Sequence, residues 1–89
     1  MKYSKEEVIK LLDAKTISVL LTIYGISYKH LAARFNISKP AISYHMKNDS
    51  FKAHERAMLL EIFVSQGLEI LELILINKMM NTSLHRRER

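Results

Sequence analysis

The chain has no cysteine. That excludes a disulfide staple, a thiolate zinc site and a thiol nucleophile. It has one proline and two glycines, Gly25 and Gly67, too few for the turns of an all-β sandwich or barrel of 89 residues. It also lacks a long uninterrupted apolar run. The longest, residues 68–80, is broken by Glu69, Glu72, Asn77 and Lys78 and is too short and too charged to span a bilayer. Residues 1–7 have no apolar stretch of the signal-peptide kind. A cytoplasmic protein outside the membrane is the expectation. Catalytic patterns are missing too. The four histidines, at 30, 45, 54 and 85, show no metal-ligand spacing, and no serine sits in a nucleophile-elbow context. The four internal methionines, at 46, 58, 79 and 80, read as packing residues and not as a sulfur ligand set. No enzyme, no metal and no cofactor are expected.

What the chain does have is positive charge in one place. Fourteen Lys and Arg against nine Asp and Glu give a net charge of +5. Residues 1–26 carry net +1 and residues 57–89 net zero, so residues 27–56 hold +4, together with three of the four histidines. A field concentrated in one third of the chain is the footprint of a polyanion-binding surface, set against the plainer reading of a solvated basic face. Hydrophobic residues at 48% are enough for a packed core.

Helical signals run along the whole sequence. Ser4-Lys5-Glu6-Glu7 is a capping box, and Val8, Ile9, Leu11 and Leu12 follow at helical spacing, so a helix is predicted near residues 5–13. Residues 13–16 are either a break or a continuation. Residues 17–24 form a second apolar run whose β-branched content leaves a strand possible, and Gly25 stops it. Ser27 caps a helix holding Leu31, Ala32, Ala33 and Phe35, and Asn36 ends it with a left-handed residue. Ser38 caps again, with Pro40 harmless in the first turn and Ala41, Ile42 and Met46 continuing to Lys47. Helices over residues 53–64 and 68–80 complete an all-α, compact bundle of about five helices.

Residues 27–48, SYKHLAARFNISKPAISYHMKN, predict two short capped helices around a tight turn. Leu31, Phe35, Ile37, Ile42 and Met46 can line one seam between them, and Ala32 is small enough for close crossing. This segment resembles the helix-turn-helix of lambda-repressor/Cro-like (Xre-type) regulators of bacteria and phages. That motif has a small residue at its fifth position (Ala32 when Tyr28 is the first), Gly at the ninth (Asn36 here), and apolar residues at the tenth and fifteenth (Ile37, Ile42). The usually apolar eighteenth position is His45, which leaves open whether His45 or Met46 faces the core. The 39–47 stretch also looks like the recognition helix of ArsR-type winged-helix repressors. Those continue into a β-hairpin wing and often a cysteine metal site, and this chain has the sequence for neither.

The resemblance implies a sequence-specific DNA-binding regulator, most simply a repressor, on double-stranded DNA. It implies base contacts from Ser38, Lys39, Ser43, Tyr44 and Lys47, and phosphate contacts from Ser27, Tyr28, Lys29, Lys52 and Arg56. Residues 1–66 are then the DNA-binding domain. Residues 67–81 form a hydrophobic C-terminal helix, and 82–89 a flexible basic tail. That helix is apolar on two sides. Leu68, Leu71, Leu75 and Met79 make one stripe, and Ile70, Leu73, Ile74 and Met80 another. One stripe can pack at home while the first joins a second copy in a two-fold dimer on an inverted repeat. Alternatively, the N-terminal helix covers the second stripe within one chain. A different function class is a protein-interaction module, antirepressor- or antitoxin-like, gripping a regulatory partner with the same helix.

Overall fold

In the computed structural model the β-branched run at residues 17–24 is helical, and Asp13 is the reason. Its side chain accepts a hydrogen bond from the Thr16 amide (2.9 Å) and starts a new helix at Ala14, after a break at residues 10–13. The structure describes the backbone over residues 3–86 and side chains over residues 3–82. Among these there are six helices and no strand: α1 (Lys5–Ile9), α2 (Ala14–Tyr24), α3 (Tyr28–Phe35), α4 (Lys39–Asn48), α5 (Ala53–Ser65) and α6 (Ile70–Arg86). The all-α class is as expected. The count is six and not about five, because the chain breaks at residues 10–13: α1 ends at Ile9, short of the expected residue 13, and residues 14–16 already belong to α2.

Local chemistry sets most boundaries. Ser4 and Glu7 form the reciprocal capping box, with Glu7 N donating to Ser4 Oγ at 3.1 Å and Ser4 N to Glu7 Oε1 at 3.2 Å. α2, α3 and α4 each end on a left-handed residue: Gly25 (φ 66°), Asn36 (φ 58°) and Asp49 (φ 52°). After α3 the Ile37 amide reaches back to Ala32 O (3.0 Å) and the Asn36 amide to Ala33 O (3.3 Å), which satisfies carbonyls that a helix end leaves open.

α4 packs on both α3 and α2, α1 lies against α5, and α6 lies against α2. The core takes Leu12, Ile17, Leu20, Leu31, Ile42, Leu59, Phe63 and Leu73, all fully buried. Ala32 and Ile42 seal the α3–α4 crossing, with Phe35, Ile37 and Met46 half-buried around them. His45 and Met46 are both half-buried. Met46 packs on the core, while His45 stacks on Phe51 with ring centroids 5.0 Å apart and shares a hydrogen bond between its Nδ1 and Ser50 Oγ (2.7 Å).

Two C-terminal expectations need correction. α6 does not stop near Met80 but runs through Arg86, so residues 82–86 of the expected tail are helical. No Pro or Gly interrupts it there. The Asn81 and Thr82 side chains bond the carbonyls of Asn77 (2.7 Å) and Lys78 (2.6 Å) one turn back, which is compatible with an unbroken helix. Residues 87–89 lie outside the described residues. Leu68, assigned to an outward stripe, precedes α6 and is 4% exposed in the core, its amide bonded to Phe63 O at 3.0 Å. Among the described residues no helix is long and apolar enough to cross a membrane.

Candidate nucleic-acid interface

α4 is a ten-residue helix with one side in the core and the other in solvent. Ile42 is fully buried, and His45 and Met46 are half-buried beside it. At about 100° per residue, Lys39, Pro40, Ser43, Tyr44 and Lys47 fall within an arc of about 140° on the opposite side. All five are exposed, as is Ser38 at the N-cap. Tyr44 is 62% exposed, unusually open for an aromatic ring. The phenol packs edge-on against His45 (centroids 5.8 Å apart), which limits its freedom without covering it. Lysine, serine and tyrosine on one rigid rod give a cation, small hydroxyls and an aromatic face. These groups can donate to purine N7 and O6, to thymine O4 and to phosphate.

Ser38 and Ser27 are partly committed. Ser38 Oγ accepts from the Ala41 amide (3.2 Å) and Ser27 Oγ from the His30 amide (3.1 Å). Each hydroxyl keeps its proton for an outside acceptor. Beside Ser27, Lys29 is exposed and Tyr28 is half-buried against the core. Lys52, exposed at the N-cap of α5, has its amide bonded to Glu55 Oε1 at 2.8 Å, leaving the ammonium in solvent.

Arg56 departs from its expected role. Its side chain is 24% exposed, its guanidinium lies 3.7 Å from Asp49 Oδ1, and its Nε is buried without a hydrogen-bond partner. It braces the end of α4 instead of extending toward a ligand. The same Asp49 oxygen accepts the Ala14 amide at 2.9 Å and so ties the start of α2 to the end of α4.

Several contributors escaped the sequence pattern. Asn77 on α6 donates to Leu11 O (2.9 Å) and to Thr16 Oγ1 (3.3 Å), the latter on the only fully buried polar residue among those described. Asn81 donates to Asp13 Oδ2 at 3.1 Å. These bonds span more than sixty residues of sequence and fix α6 to the α1–α2 junction. Partial burial pushes the Asp13 carboxyl up. The bonds from Thr16 and Asn81 and the charge of Lys15 outweigh it and hold Asp13 below the usual carboxylate value. Beside the exposed face of α4, an open groove of about 700 Å³ separates α4 from the first half of α2. Lys15, Ser18 and Val19 line it from α2, and Tyr28, Ser43 and Lys47 from α3 and α4. No spacing rule in the sequence points to Lys15 or Ser18.

No protein-family model, curated protein or solved structure matches the chain. Among the described residues no three His, Asp or Glu side chains come together as a metal site.

On α6, Leu71, Leu75 and Met79 stand 68%, 58% and 65% exposed, one turn apart on a single stripe. Leu73 on the other side is fully buried, and Ile70 and Ile76 pack at the edge of the core. Three of the four residues assigned to the outward stripe are therefore exposed, and Leu68 is not.

Proposed function

We propose that this chain is a sequence-specific DNA-binding transcriptional regulator, acting in the cytoplasm as a homodimer on a short inverted repeat. Repression by occluding a promoter is its simplest output. The observation that carries the proposal is the outward side of α4. Lys39, Ser43, Tyr44 and Lys47 stand in solvent on a capped helix locked from behind by Ile42. A helix presented in this way fits the major groove, with the α3 N-terminus and Lys52 near the backbone. In this reading α3, the Asn36–Ser38 turn and α4 act as a helix-turn-helix of the lambda-repressor/Cro-like kind. A single short helix binds weakly. Two copies joined through Leu71, Leu75 and Met79 would present two reading helices to half-sites about 34 Å apart.

The test is selection of bound fragments from random duplex DNA, followed by a salt titration on the recovered sequence. A preferred palindromic sequence, with affinity falling log-linearly with salt, is the expected result. Binding without sequence preference, or none, overturns the proposal. The exposed α6 stripe also favours a second reading, a module that grips another protein. Under that reading the purified chain binds no duplex specifically.

A further inference from the structure

The groove between α4 and α2 continues into a second, smaller depression of about 400 Å³, and Ser18 and Tyr28 line both. Together they make one trough that begins at the reading face and follows α2 toward the start of α3. Lys15 and Lys47 stand at one end, and neither belongs to an ion pair among the described residues. No carboxylate lines either part of the trough. The nearest, Asp13 and Asp49, lie beyond the lysines and are bonded to helix amides at 2.9 Å. The floor is apolar at Val19 and Met46, both half-buried.

From this we infer that the trough seats the sugar–phosphate backbone of one DNA strand, with Lys15, Ser18 and Tyr28 on its phosphates. α2 thus becomes a third DNA-contacting element beside α3 and α4. The inference rests on the proposed DNA-binding function and deepens it. Cations and hydroxyls with free protons are the groups that hold phosphates, and the apolar floor suits the faces of the deoxyribose rings. Thr22, also along the trough, gives its proton to Ser18 O (3.1 Å) and is not such a donor. Because Ser43 and Lys47 border both the trough and the reading face, a strand lying there sets how far α4 enters the groove.

The experiment uses the full chain and a fluorescently labelled duplex of the selected sequence, with a scrambled duplex beside it. Lys15→Gln is compared with Lys10→Gln, which removes the same charge from an exposed position outside the trough. Lys15→Gln should weaken binding to both duplexes by one common factor and flatten log K against log salt by about 1.8, the loss of one phosphate contact in each of two subunits. Lys10→Gln should leave the slope unchanged. Ser18→Asp, with circular dichroism confirming its helices, should weaken both duplexes at least about tenfold through repulsion of the backbone. An unchanged slope in Lys15→Gln while wild type binds normally overturns the trough and leaves the DNA-binding proposal standing. A wild-type chain that binds no duplex overturns both.

Discussion

Lys39 and Ser43 lie one turn apart on the open side of α4, and neither supports the fold. Replacing both with alanine should therefore leave thermal stability nearly unchanged. Under the proposed DNA-binding function it should cost about 1–3 kcal/mol per lost base contact and relax sequence preference, read by anisotropy on matched and mismatched duplexes. A variant that binds the matched and the mismatched duplex each as tightly as wild type does would remove these residues from the reading face. Asp13 is the opposite kind of residue. Its folded carboxyl titrates below its unfolded value of about 3.9, so the stabilisation it supplies is complete above that pH and fades as pH falls through the lower folded value. Asp13→Asn keeps a capping side chain but cannot titrate. Urea unfolding should show wild type ahead at pH 7 and the gap closing below about pH 4. A gap that stays constant with pH would mean that the charge contributes nothing.

At the scale of elements, the α3–α4 pair depends on shape. Ile42 is fully buried at the crossing beside Ala32, and Ile42→Ala should cost about 2–5 kcal/mol, measured by denaturant unfolding. A cost below about 1 kcal/mol would mean that α4 is held by its caps and the Asp49–Ala14 bond more than by packing. Much of this pair is legible in the sequence. Ser27, Asn36 and Ser38 act on amides and carbonyls three or four residues away, so their effect needs no tertiary partner. The length of α6 was less legible. Polar residues after Met80 resemble a tail, yet Asn81 and Thr82 bond the preceding turn and the helix continues.

For the whole molecule, Leu68 and Leu75 make the sharpest contrast. Both belong to one apolar repeat, but Leu68 is in the core and Leu75 is 58% exposed. Under the proposed dimer, Leu75→Glu should fold normally and sediment as a monomer at concentrations where wild type sediments as a dimer. Leu68→Glu should unfold the chain, because a buried unpaired charge costs more than a domain of this size can absorb. A dimer that survives Leu75→Glu would remove α6 as the interface. Among the described residues, little of the chain covers the α6 stripe, with Leu71, Leu75 and Met79 all more than half exposed.

The caps at Ser4, Ser27, Asn36 and Ser38 and the charge of the middle third were set by the sequence alone, because they depend on residue identity and on neighbours within about one turn. Which apolar side chain points inward, which cation is spent on a carboxylate and which asparagine satisfies a buried hydroxyl were decided by tertiary structure. Arg56 and Lys52 look alike as charges in the sequence. Only the return of Asp49 to the α2 N-terminus makes one a brace and leaves the other in solvent. Burial and pairing arise where distant segments meet, and local chemistry has no knowledge of that meeting.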